Sequence, residues 1–340
     1  MSTRYQTLTL LLALFALASP ASAQPGSVCF DAALAGGTTE VCAEVYQNAA
    51  APLGVTILAV HGFTETARVF EPLARAMFAD KLMRFTVRRV ISIDLPGHGG
   101  SEAPLALPDA LFGELTLYDN VSVVIQAIDA LRARNLAPRV IMGHSMGGLA
   151  VQGVQEALLS QGSSLAAHGV YRAILIAPVP VANVTWTQPP PSDLSPFVVA
   201  DPALGQYLDL PPEVARLGGG FTTTAGTLVS GTPSVAAMVQ YVGWEPITTT
   251  LQLVGQIPQL PRLSARKGAF APSRGTLLSV IGFSQDVLTP ADDLDDLYVH
   301  LIGRSGLLYR RVEGPEAVHS MFQADPVGLI ATLRTLPLTW

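Results

Sequence analysis

Apolar runs of strand length, without in–out alternation, dominate the chain from residue 55 onward. Those at 55–60, 89–94, 139–142, 173–177, 276–281 and 307–312 place Val, Ile and Leu on consecutive positions. That pattern predicts strands buried on both faces of a mostly parallel sheet. Segments long enough for helices lie between and after them, at 118–134, 146–161, 291–302 and 326–333. Alternating strands and helices predict a doubly wound α/β fold, a mostly parallel central sheet flanked by helices. Ahead of this series, 27–33 and 39–47 read as two strands joined by a turn containing Gly36-Gly37.

One stretch breaks the alternation. Residues 181–272 are rich in Pro, Gly and Thr, with Pro189-Pro190-Pro191, Gly218-Gly219-Gly220 and Thr222-Thr223-Thr224. They fall between two core strands and are too many for an ordinary loop. The expectation is an inserted cap with some short helices, one around 234–241, anchored by Trp186, Phe197, Phe221, Tyr241 and Trp244. The N-terminus carries Arg4, an apolar run over 8–18 broken by Thr9, and then Ala21-Ser22-Ala23, a small-x-small cleavage pattern. That run is shorter than the roughly 20 residues needed to span a bilayer. The predicted organisation is a signal peptide at 1–23, a core built from 24–180 and 273–340, and a cap at 181–272. The mature chain is then exported, periplasmic or secreted, without a stable membrane anchor.

Composition narrows the possibilities. The chain is 49% hydrophobic and 14% charged, which excludes intrinsic disorder. Lys and Arg number 20 against 26 Asp and Glu, a net charge of −6, and no basic run occurs in the sequence, which argues against nucleic acid as a partner. The two cysteines, Cys29 and Cys42, lie on the two strands of the N-terminal hairpin. The hairpin places them opposite each other, and export favours a disulfide. Two cysteines without nearby histidine cannot complete a zinc shell, so no metal site is expected.

The strongest chemical signal is Gly143-His144-Ser145-Met146-Gly147-Gly148, a G-x-S-x-G pattern with an extra glycine. It follows a predicted strand directly and precedes a predicted helix, the context of a nucleophile elbow. A serine on such a turn projects its hydroxyl at the C-terminal edge of the sheet, and the helix N-terminus favours negative charge developing beside it.

With these features the sequence resembles the α/β-hydrolase superfamily over nearly all of the mature chain. His61-Gly62-Phe63 stands where that family carries its oxyanion loop. The segment Asp94-Leu95-Pro96-Gly97-His98-Gly99-Gly100-Ser101 looks like the loop after its next core strand, and residues 181–272 occupy the place of a lid. The resemblance implies a chain order of nucleophile, acid, histidine. It therefore points to Asp286, in the loop after the 276–281 strand, and to His319, after the last strand, as partners of Ser145. Asp292, Asp293, Asp295 and Asp296 read as the solvated face of a helix. Val318 stands where the family usually has a small residue or glycine before its histidine. The backbone N–H groups of Phe63 and Met146 are the implied oxyanion donors. No cofactor is needed. The expected activity is ester hydrolysis on a small-molecule substrate, probed best by its contrast with lactonase, C–C hydrolase and perhydrolase chemistry on the same triad, or with a non-catalytic binding protein on the same scaffold. A serine in the nucleophile position argues against epoxide hydrolase and haloalkane dehalogenase, which use aspartate.

Overall fold

The computed structural model describes residues 26–34, 37–62, 65–96, 99–101, 117–178, 275–286, 291, 294, 307–317 and 321–336. The predicted signal peptide, the 181–272 insertion and most of the 291–302 helix lie outside these residues; Ala291 and Leu294 are both helical and buried.

Eight strands form a single sheet: β1 (Gly26–Leu34), β2 (Gly37–Gln47), β3 (Val55–Val60), β4 (Val87–Ile93), β5 (Val140–His144), β6 (Arg172–Ile176), β7 (Leu277–Phe283) and β8 (Leu307–Val312). Their spatial order is β1-β2-β4-β3-β5-β6-β7-β8. From β4 to β8 every pairing is parallel, whereas β1 and β2 run antiparallel at one edge. Among the described residues the helices with complete bounds are α1 (Glu71–Ala79), α2 (Met83–Thr86), α3 (Leu117–Ala133), α4 (Met146–Ser160), α5 (Met321–Ala324) and α6 (Pro326–Leu333), with a short 3₁₀ turn at Ala67–Phe70. The strands match the apolar runs to within two residues at either end. Helix α1 went unread in the sequence because Glu71, Arg75 and Pro72 interrupt the short apolar stripe of Leu73, Ala74 and Met77.

The absence of alternation in the strands has a direct cause. Side chains along a strand point to opposite faces, and here both faces are covered. Leu58, Val60, Ile141, Leu175 and Val280 face a core shared with Val124, Ile128 and Leu131 of α3 and Leu149, Val154 and Leu158 of α4. Their neighbours Ile57, Ala59, Met142, Ile174, Ile176 and Ile281 face a second core, with Phe70, Leu73, Met77, Phe322, Leu329 and Leu333. The central positions of these strands are therefore mostly apolar, and the C-terminal ends of six parallel strands, β4, β3, β5, β6, β7 and β8, lie along one edge.

Cys29 and Cys42 pair directly across the β1–β2 hairpin and form a disulfide, with Cα atoms 4.0 Å apart. Among the described residues no helix is long and apolar enough to cross a membrane.

Candidate active site

β5 ends at His144 and α4 begins at Met146, so Ser145 alone reverses the chain direction. Its backbone has φ 50° and ψ −117°, outside the ordinary helical and extended wells. Such a conformation costs on the order of 1–3 kcal/mol for a residue with a Cβ, and persists only where its surroundings over-determine it. Those surroundings are visible. The Ser145 N–H donates to the Ile176 carbonyl at 3.0 Å, and the Ser145 carbonyl accepts from the Leu149 N–H at 3.1 Å. A Cβ on Gly147 would collide with the carbonyls of Val60 and His61, so only glycine lets α4 approach the end of β3 this closely. Strain of this kind concentrates at functional sites.

The loop after β3 is pinned against this turn. The Leu95 N–H donates to His61 Nε2 at 3.0 Å, which leaves Nδ1 to carry the proton and donate to the Gly62 carbonyl at 2.7 Å. Glu65 is fully buried. Its Oε2 accepts from the Gly62 N–H at 2.6 Å and from His144 Nδ1, also fully buried, at 2.9 Å. One carboxylate thereby ties the loop after β3 to the residue preceding Ser145. The fit is tight, since a Cβ on Gly62 would lie 3.1 Å from the Ser145 Cβ.

Asp94, at the end of β4, clamps the same edge from the side. Its carboxylate accepts from the Ala67 N–H at 2.5 Å and the Gly100 N–H at 2.9 Å. Its carbonyl accepts from the Ser101 hydroxyl, whose oxygen in turn accepts from the Cys42 N–H. Burial pushes the Asp94 carboxyl up to about 6, against the lowering effect of those two backbone donors.

Asp286 lies in the turn after β7, two strands away from Ser145 at the same sheet edge, a lateral step of about 10 Å at normal strand spacing. It is buried, and its N–H donates to the Phe283 carbonyl at 3.1 Å. The turn is stitched to the loop after β8: the Ser284 N–H donates to the Val312 carbonyl and the Gln285 N–H to the Ala317 carbonyl. Beyond that loop, Phe322 of α5 packs edge-on against His144 with ring centres 4.5 Å apart and stacks on Phe70 at 5.3 Å.

Of the residues expected from sequence, Ser145, Met146 and Asp286 therefore share the C-terminal edge, while Phe63 and His319 lie outside the described residues. Sequence reasoning passed over Glu65 and the packing of Phe322. The available signal for Glu65 was a carboxylate three positions after Gly62, between apolar runs that had to be interior. As for metal ligands, the one candidate cluster among the described residues is Cys29, Glu40 and Cys42, and its two sulfurs are bonded to each other.

A mostly parallel α/β sheet with a strained serine at a strand-to-helix turn on its C-terminal edge is the architecture of a hydrolase fold. The family model described as the alpha/beta hydrolase family matches residues 57–332, and the chain belongs to that family. No curated protein matches the chain. Among solved structures, a thermophilic esterase from Thermogutta terrifontis is similar at a TM-score of 0.57 and 16% identity, covering 92% of this chain and 97% of that one. The N-acyl homoserine lactonase AidH, complexed with N-butanoyl homoserine, gives 0.55 and 14% over 91% and 95%. A thioesterase domain from the curacin biosynthetic pathway gives 0.53 and 14% over 92% and 100%. At these identities the likeness is one of fold.

Proposed function

We propose that this protein is an exported serine hydrolase that cleaves uncharged, largely apolar carboxylic esters through an acyl-enzyme, with Ser145 as nucleophile, His319 as base and Asp286 as acid. The observation that carries the proposal is the strained backbone of Ser145, held between the end of β5 and the N-terminus of α4 by its bonds to Ile176 and Leu149. Supporting it, the loop leading to His319 is hydrogen-bonded to the Asp286 turn, and Phe322, three positions after His319, packs on the residue before Ser145.

The chemistry runs as follows. The neutral imidazole of His319 takes the Ser145 proton as Oγ bonds to the ester carbonyl carbon, and the carbonyl electron pair moves onto its oxygen. Met146 opens α4, so its N–H has no acceptor within the helix and adds to the positive end of the helix dipole. That N–H and the one of Phe63 receive the oxyanion, each worth about 2.7–4 kcal/mol in the transition state. Collapse breaks the bond to the alcohol, which leaves with the proton from His319. Water repeats the sequence on the acyl-enzyme. Asp286 holds the imidazole in the required tautomer and stabilises its cation.

The 181–272 cap, poor in charge in its first third and carrying aromatics at Trp186, Phe197, Tyr207, Phe221, Tyr241 and Trp244, selects apolar acyl groups at roughly 0.8 kcal/mol per buried CH₂. The leader pattern at 1–23 and the Cys29–Cys42 bridge support export. A lactone is a cyclic ester open to the same attack, so lactones belong in the same screen. The test is hydrolysis of p-nitrophenyl esters of graded acyl length by the mature chain and by Ser145→Ala. Turnover by the wild type and its loss in the folded variant are expected; equal activity in the two proteins would contradict the proposal, and turnover by neither would favour a binding protein on this scaffold.

A further inference from the structure

The opposite, N-terminal edge of the sheet carries a cleft of about 760 Å³ lined by Arg88, Arg89, Arg132, Arg139, Tyr171 and Leu53, among others, and by no carboxylate. Four guanidinium groups gather there in a chain whose net charge is −6. They come from separate places in the fold: β4, the last turn of α3, and the residue just before β5. A local irregularity brings two of them together. The β3–β4 ladder pairs Val55 with Val87 and then Thr56 with Arg89, so Arg88 is an extra residue on β4. In a regular strand neighbours point to opposite faces, and such a bulge re-aims a side chain, so both arginines line the cleft. Gly54 permits the bulge, because a Cβ there would lie only 2.8 Å from the Arg88 nitrogen.

Among the described residues no acid neutralises these arginines. Among the described residues none of the four makes an ion pair. Arg132 reaches only the Ala167 carbonyl at 3.5 Å, and Arg139 lies 5.2 Å over the Tyr171 ring. Arg89 is 8% exposed, and its Nε has no hydrogen-bond partner. Burial and the adjacent Arg88 both lower its affinity for its proton, with no acid offsetting them. A guanidinium with a buried, unpartnered Nε at the foot of a cleft gains from an anion that completes it. Planar forks of this kind match phosphoryl oxygens.

The rim decides what bears the phosphate. Leu53 is 98% exposed and Phe85 61%. They flank Gly54 and Thr86, which approach so closely that a Cβ on Gly54 would collide with the Thr86 carbonyl. Leu82, whose carbonyl accepts from the Phe85 N–H, is 65% exposed. Exposed apolar side chains beside a cationic cleft suit a lipid surface better than a free ion.

We propose that this edge docks peripherally on a membrane surface of anionic phospholipid, the arginine cleft taking headgroup phosphates and Leu53, Leu82 and Phe85 entering the interface. It is a reversible contact, distinct from an anchor, and it leaves the Ser145 edge facing the aqueous side.

The test is cosedimentation of the mature chain with phosphatidylcholine vesicles with and without phosphatidic acid, alongside titration with soluble tripolyphosphate. Binding only to the anionic vesicles is expected, weakened about tenfold or more in Arg88→Gln and in Arg89→Gln, the loss anticipated for a charge-assisted contact. Leu53→Ser, a fully exposed position that cannot compromise folding, should weaken it as well, and Arg75→Gln, outside the cleft, should not. Absence of vesicle binding, binding to tripolyphosphate alone, or vesicle binding indifferent to Arg88 and Arg89 would each overturn the proposal. Hydrolysis of soluble esters should be unchanged in Arg88→Gln, so this outcome is separable from that of the serine hydrolase reading.

Discussion

The two edges of the sheet treat their polar groups in opposite ways. At the C-terminal edge the buried acids hold protein donors: Glu65 Oε2 accepts from Gly62 and His144, although its Oε1 has no partner, Asp94 accepts from Ala67 and Gly100, and the Asp286 turn is sewn to β8 and the loop after it. At the N-terminal edge no carboxylate among the described residues holds Arg88, Arg89 or Arg139, and Arg89 is nonetheless buried. Non-glycine residues with positive φ occur at both edges, Ser145 and Ala177 at the first and Asn135 at the second. Asparagine tolerates that conformation, whereas Ser145 also has ψ −117°, outside the left-handed helical well. The contrast teaches that rigidity and charge serve different ends here. Chemistry needs groups fixed before the reaction starts, because transition-state stabilisation depends on donors already in place. Contact with an outside surface needs charge left unneutralised.

Mutations can break this contrast, beginning with the largest effect. Ser145→Ala should lower kcat by several orders of magnitude, as removal of a triad nucleophile does. Ser145→Gly should be equally inactive yet more stable, by about 1 kcal/mol, because glycine tolerates φ 50° without a Cβ penalty; denaturant titration of both variants checks this. Glu65→Ala removes the acceptor shared by Gly62 and His144 and should cost about 3–5 kcal/mol of stability, as breaking a buried charged contact does. Glu65→Gln, which retains an oxygen for Gly62, should recover part of that loss in thermal melts. Reducing or deleting the Cys29–Cys42 bridge, a closed loop with sequence separation 13, should cost about 3 kcal/mol. Thiol alkylation of denatured, unreduced protein should label neither cysteine.

Asp94 supplies a smaller, pH-dependent effect. Its folded-state value of about 6 lies above the ordinary 3.8, so the folded form binds the proton more tightly than the unfolded one. The sign follows: Asp94 contributes stability as the pH falls through 6, the gain is complete below 3.8, and the desolvation cost returns above 6. Between pH 7 and 4.5 the wild type should gain about 2 kcal/mol relative to Asp94→Asn, read as the difference between their denaturation curves. Smallest of all, Arg89→Leu at the other edge should change stability by less than about 0.5 kcal/mol or raise it, because no ion pair is lost. A large destabilisation there would show that Arg89 belongs to the protein's own scaffold.

Much of the fold was legible in the sequence because burial on both faces leaves a plain mark, the continuous apolar run. The elbow was legible for a similar reason: Gly143, Ser145 and Gly147 sit where a strand pattern gives way directly to a helix pattern. The Cys29–Cys42 pairing followed from hairpin register, which the structure shows with the two residues directly opposed. What escaped was contact made between distant segments. Nothing near Glu65 in the chain marks it as the partner of His144, which is 79 positions away. The arginine cleft was likewise invisible, since Arg132 and Arg139 are dispersed and only Arg88 and Arg89 are adjacent. The sequence contains no basic run, yet folding assembles a basic site from three places in the fold.

The central claim is that Ser145 is an activated nucleophile. Labelling the folded protein with a fluorophosphonate, which phosphonylates a serine oxygen when a general base removes its proton, measures this directly. Peptide mass spectrometry should find one adduct, on Ser145, and none in His319→Ala or after denaturation. An unlabelled Ser145 in folded protein, or an adduct on a different serine, would contradict it.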